Sequence, residues 1–95
     1  MSKDSLSSPS IETLRDKIDS IDDQVLELLN QRAEIVMEVG KLKIAIRPHN
    51  PSMRMASREK SILKRLEEKN TGPFPFSSIK LIFKDIFKMC LELQK

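Results

Sequence analysis

From Ile11 onward the apolar residues fall alternately three and four positions apart, the spacing that lines one face of an α-helix. One register is Ile11, Ile18, Val25, Arg32, Val39 and Ile46; the other is Leu14, Ile21, Leu28, Ile35 and Leu42. This is a heptad seam held without a break. Ser10 is placed to cap the helix, and Glu12 sits in the first turn, where the helix dipole favours an acid. Pro48 stops the helix and biases the residue before it away from helical geometry, so an end near Ile46 is predicted. The next stretch, IRPHNPSMRMAS, carries two prolines and an asparagine and reads as a loop holding His49. A second helix is predicted from around Met55 to Ser57 as far as Lys69, with Met55, Ile62, Leu63, Leu66 and Glu59 on its inner face. Asn70 or Gly72 caps it and Pro73 breaks the chain. Ser77 or Ser78 then caps a third helix that runs to the C-terminus. Its stripe is Ile79, Ile82, Ile86, Met89 and Leu93, flanked by Phe83, Phe87, Cys90 and Gln94. Nothing alternates with the period of a strand. The fold class is all-α, with three helices per chain, one of them very long. Residues 1–10, MSKDSLSSPS, are polar and aperiodic and read as a flexible leader before a helical domain over 11–95.

The length of the first helix carries a consequence. About 36 residues at 1.5 Å each make about 54 Å, whereas a compact domain of this size has a radius of gyration of about 12 to 13 Å. The two later helices together barely match that length, yet the seam is apolar from end to end. A second copy of the chain is the simplest cover, which predicts an entwined homodimer with the long helices near-antiparallel. The alternative is a long helix that breaks at Gly40 and folds back. A single glycine costs a helix about 1 kcal/mol, which is a weak argument for a kink.

Composition narrows the function classes. The chain is 33% charged and 39% hydrophobic, with a net charge of +3, in the range of globular domains. No run approaches the roughly 20 apolar residues of a membrane span, and the N-terminus has no apolar signal core. The cytoplasm is therefore the expected location. Cys90 is the one cysteine and His49 the one histidine, which gives no metal-ligand cluster and no intrachain disulfide. A mild positive charge suits an anionic small molecule. The basic residues are spread around the helices and the four aromatics are all Phe, which argues against a nucleic-acid surface.

Within the seam, Arg32 stands where its neighbours one heptad away are Val25 and Val39. A guanidinium cannot lose its proton, and burying it unpaired costs several kcal/mol. It either pairs with an acid such as Glu59, fixing register, or awaits an anionic ligand. Lys43 follows eleven residues later, about 20° around the axis and about 16 Å along it, so both face one side. With Glu59 and Gln94 they form a crevice of cations, one acid and one amide, the lining expected of a small dicarboxylate site. Met53 and Met55 beside it read as loop and core packing. Arg15 lies about 25 Å from Arg32 along the helix and about 100° around it, too far for one small ligand within a chain. In an antiparallel pair with its twofold near the helix midpoint, Arg15 comes level with about residue 42 of the other copy and approaches the site from across the interface.

The stretches LRDKIDSIDDQVLELLNQRAEIVMEVGKLK, SREKSILKRLEEKNTGPFP and IKLIFKDIFKMCLELQ, in that order, resemble the all-helical chorismate mutase family over Leu14 to Gln94. The resemblance implies an entwined homodimer of three-helix chains that isomerises chorismate to prephenate without a cofactor. It implies that Arg32 and the partner-supplied Arg15 bind the two carboxylates, that Lys43 and Gln94 hydrogen-bond the ether oxygen, that Glu59 meets the ring-hydroxyl side, and that Arg58 supports the site. Two accessory positions depart from the family pattern: Met55 replaces an acid and Cys90 replaces a serine. The loop over 47–56 is longer than usual. Fusion or docking to DAHP synthase or prephenate dehydratase is familiar in the family and stands as an expectation for partners.

The chemistry agrees with the resemblance. An intramolecular rearrangement needs no nucleophile or metal. It needs its flexible substrate held compact, and donors aimed at the oxygen where charge develops. Two other readings use the same scaffold. An isochorismate pyruvate lyase would share the Arg, Lys and Gln clamp but lack the acid at Glu59. A non-catalytic regulatory domain tied to a shikimate-pathway enzyme would have no need of the full polar set.

Overall fold

The computed structural model describes residues 10–46 and 51–94, and of residues 44–46 and 51–55 only the backbone. Residues 1–9 of the predicted leader (1–10), residues 47–50 of the predicted loop with His49, and the side chains of Met53 and Met55 lie outside the described residues. Three helices make up the described fold: α1 (Ile11–Ile46), α2 (Pro51–Lys69) and α3 (Phe76–Leu93). Among the described residues there is no strand, and no helix is long and apolar enough to cross a membrane.

The start of α1 is set by Ser10. Its Oγ accepts from the Thr13 amide at 3.1 Å and lies 2.8 Å from the Thr13 hydroxyl, while its carbonyl takes the Leu14 amide at 3.1 Å. One otherwise orphaned amide of the first turn is thereby satisfied. The helix continues through Gly40 to Ile46 without a break, so the fold-back alternative is not adopted.

Helix α2 begins at Pro51, earlier than the predicted Met55 to Ser57. Proline is tolerated there because its missing amide would have no partner in a first turn and its fixed φ already suits a helix. The helix ends as expected at Asn70, whose amide still reaches the Leu66 carbonyl at 2.9 Å. The Asn70 side chain then shapes the turn. Its Oδ1 accepts from the Gly72 amide at 3.3 Å and its Nδ2 donates to the Phe74 carbonyl at 2.9 Å. No glycine takes a positive φ, so the side chain of Asn70, rather than glycine's freedom at Gly72, makes the stop.

Helix α3 corrects a second boundary. Its N-cap is Pro75, with φ −67° and ψ 154° and no side-chain cap, in place of Ser77 or Ser78. The Pro75 carbonyl accepts from Ser78 at 3.0 Å and from Ile79 at 3.4 Å. The extended conformation that a proline readily adopts sets the first turn, so neither serine is needed for it.

The chain divides into two compact units, Met1–Arg32 and Ala33–Lys95. The first consists, in its described part, of the N-terminal portion of α1. In the second, α2 packs on α3, and the buried apolar side chains are Ile62 of α2 with Ile86, Phe87 and Cys90 of α3. The Phe83 and Phe87 rings, one turn apart, meet at 6.2 Å between centroids with a 58° tilt, a favourable edge-biased geometry. The inner face of α2 matches the pattern read from the sequence, with Glu59, Leu63 and Leu66 half-buried around Ile62. On α3 the expected stripe splits. Ile86 turns inward with Phe83, Phe87 and Cys90, while Ile82, Met89 and Leu93 stay exposed. Helix α3 has apolar residues on two sides, and α2 packs on it where Ile86, Phe87 and Cys90 are buried.

The seam of α1 is uncovered. Ile11, Leu14, Ile18, Ile21, Val25, Leu28, Ile35, Val39 and Leu42 are all exposed, Leu28 to 61%. Contiguous exposed apolar area of that extent is rare on a soluble chain that stays alone.

Candidate active site

Gln94 is the polar group that the fold places most definitely. It is the C-cap of α3, with φ −84° and ψ −8°, and its amide donates to the Leu91 carbonyl at 3.1 Å. From there its half-buried side chain reaches α1, where Nε2 donates to the Val36 carbonyl at 2.9 Å. The carboxamide lies against Gly40, which is buried. The end of α3 is therefore fastened to α1 in the turns just before Lys43, which is half-buried in the last turn of that helix. Both residues predicted to donate to one developing charge are thus carried by the same stretch of α1 and what is bound to it.

Glu59 is half-buried on the inner face of α2, about one turn before the buried Ile62. Arg58, next to it, is exposed. Arg32 is half-buried and Arg15 is exposed. These two share one unit and one continuous helix, so their spacing in sequence holds them about 25 Å apart. A single copy does not bring them to one small ligand. No charged or polar side chain is buried among the described residues. Of the accessory positions, Cys90 is buried with Ile62, Ile86 and Phe87 in the second unit. The Met55 side chain is outside the described residues.

Among the described residues, no group of three or more His, Cys, Asp or Glu side chains is arranged to hold a metal. The chemical resources are cations, one carboxylate and one oriented carboxamide. They suit binding of an anion and stabilisation of charge on an oxygen.

Gly40 and Val36 belong to the surroundings of Gln94, and the hydrophobic pattern alone does not single them out. A signal was present for Gly40, because a glycine inside an otherwise unbroken helical seam points to a close approach by another group. For the Val36 carbonyl there was none, since any main-chain oxygen on that side of the helix would look the same.

Residues 14–95 match the family of chorismate mutase type II. The chain is 33% identical over 81 residues to a bifunctional chorismate mutase/prephenate dehydratase of Neisseria gonorrhoeae, an alignment covering 85% of this chain and 21% of that protein. It is 35% identical over 60 residues to an intracellular chorismate mutase of Mycobacterium bovis, covering 63% of this chain and 54% of that one. A solved chorismate mutase structure (form II) from Thermus thermophilus superimposes with a TM-score of 0.76 at 35% identity, covering 88% of this chain and 92% of that chain. The chain thus spans about a fifth of the length of the bifunctional Neisseria relative.

Proposed function

Because the chain belongs to the chorismate mutase type II family, we propose that it isomerises chorismate to prephenate, in a site completed by a second copy of itself. The observation that carries this reading is the fastening of the Gln94 carboxamide to α1 in the turns just before Lys43. It supplies two donors suited to the same oxygen. As the ether C–O bond breaks and the new C–C bond forms, negative charge grows on that oxygen. Lys43 and Gln94 meet it with an ammonium and an amide N–H already in place, which lowers the barrier more than it stabilises the ground state.

Binding falls to the arginines. Arg32 and the second copy's Arg15 grip the two carboxylates, and their separation within one helix is the reason two copies are needed. Holding both carboxylates selects the compact conformer in which the reacting carbons are close. Glu59 accepts from the ring hydroxyl, and Arg58 stands beside it as support. Residues 11–95 act as the catalytic domain, with 1–10 as its leader. The exposed seam of α1 is the surface on which the two copies entwine in antiparallel fashion, and burying it also dries the crevice. The reaction is assigned to the cytoplasm and to aromatic amino acid biosynthesis. The relatives that are named for both activities support hand-over of the product to a prephenate dehydratase.

The test is incubation of the purified chain with chorismate, following loss of the diene absorbance and identifying the product by chromatography. Prephenate is expected. Salicylate with pyruvate would replace this reading by the lyase, and unchanged chorismate would replace it by a non-catalytic domain.

A further inference from the structure

Gly40 sits inside a regular helix and is buried. Its φ is not positive, so the backbone there is open to any L-residue, and alanine would favour the helix by about 1 kcal/mol. What occupies the missing side chain's space is Gln94. A Cβ built on Gly40 would stand 3.0 Å from Gln94 Cγ, 3.3 Å from Cδ and 3.3 Å from Nε2. The same carboxamide donates to the Val36 carbonyl at 2.9 Å. In an α-helix that carbonyl already receives the amide of residue 40, four positions on, so Gln94 takes the oxygen's second lone pair.

We propose that Gly40 is a positioning residue for the Gln94 carboxamide. The inference rests on the assignment of Gln94 to the ether oxygen made above. Without a Cβ at position 40, the carboxamide lies flat on the helix and reaches Val36. The Val36 carbonyl can accept only a donor, so it fixes which end of the amide is nitrogen. One Nε2 proton is committed to that bond, and the second is left pointing in a single direction, available to substrate. A methyl group at Gly40 pushes Cγ and Nε2 outward by a few tenths of an ångström or more, which lengthens the bond to Val36 and frees the amide to turn. The donor remains present but loses its aim. Binding of the carboxylates does not pass through this group, so the loss falls on the chemical step.

The experiment is a double-mutant cycle on the full chain with Gly40→Ala and Gln94→Ala, measuring kcat, KM and helicity. Misplacement of a catalytic group on the ångström scale costs up to about 100-fold, so Gly40→Ala is expected to lower kcat by about 10- to 100-fold with KM within about twofold. In the Gln94→Ala background, Gly40→Ala is expected to change nothing further. The inference is overturned if Gly40→Ala retains wild-type kcat, or lowers it equally in both backgrounds. Should Gly40→Ala fail to fold, the double variant decides: it folds if Gln94 is what the methyl meets, and its failure to fold overturns the inference. A Gln94→Ala chain as active as wild type would instead sink the assignment of Gln94 itself, so the two failures are distinguishable.

Discussion

The side chain of Gln94 donates through Nε2 to the main-chain carbonyl of Val36 at 2.9 Å, across 58 positions of sequence. A carboxamide immediately after one helix is thereby bound to the body of another. A neutral donor bound this way has one proton spent and one to offer, which is how an uncharged residue would serve the proposed site.

Replacing that amide by a carboxyl tests the role directly. In Gln94→Glu the ionised carboxylate has no proton to give and faces the Val36 carbonyl with its own lone pairs, whereas the protonated acid can donate once. Activity of the variant is therefore expected to be about 100-fold below wild type at neutral pH, by the loss typical of one oriented donor. It should rise as pH falls toward the ordinary glutamate value of about 4.3. A pH–kcat profile parallel to wild type would remove Gln94 from the chemistry.

In the proposed site Lys43 supplies the charged donor. Lys43→Ala is expected to lower kcat by about 100- to 1,000-fold, the range for deleting one preorganised donor to a developing oxyanion. Alanine is the better helix former, so circular dichroism should show undiminished helicity. Equal loss of activity and of helical signal would make Lys43 a structural residue.

The proposed association of two copies rests on the open seam. Leu28, 61% exposed in one copy, lies midway along α1, where two antiparallel helices would cross. Leu28→Lys sets an unpaired charge in that contact, a burial that costs several kcal/mol. Sedimentation is expected to find twice the chain mass for wild type and a single-chain species for the variant. Wild type sedimenting as one chain would contradict the entwined arrangement.

The core of the second unit is checked separately. Ile62 is 5% exposed between α2 and α3, so Ile62→Ala is expected to destabilise the chain by about 2 to 5 kcal/mol through lost burial and an unfilled cavity. Denaturant unfolding measures it, and a shift under about 0.5 kcal/mol, the usual effect of a surface change, would mean that the α2–α3 contact is loose.

Much of this was legible in the residues. The seam from Ile11 to Ile46 declared α1 because its period of three and four is enforced by backbone geometry alone, and Ser10 declared its start through a local hydrogen bond. The starts of α2 and α3 fall earlier than the pattern predicts for one reason: Pro51 and Pro75 look like loop residues in a sequence, yet a proline suits a first turn or the cap before it. Which side of α3 turns inward was not legible, since Ile82 and Ile86 are equally apolar and only the fit against α2 separates them. For the site, residue types and spacing indicated Arg32, Lys43, Glu59 and Gln94. The contacts of Gln94 with Val36 and Gly40 depend on how far α3 extends and where it lands, a tertiary fact with no local signature beyond the glycine itself.

In the proposed arrangement two chains build each site, and complementation between inactive chains shows whether they do. Arg15→Ala and Arg32→Ala chains, each inactive, are unfolded together and refolded as a mixture. With each site taking Arg32 from one copy and Arg15 from the other, half of the dimers are mixed and each has one intact site, so about a quarter of wild-type activity is expected to return. A mixture that forms mixed dimers yet remains as inactive as its components would contradict the shared site.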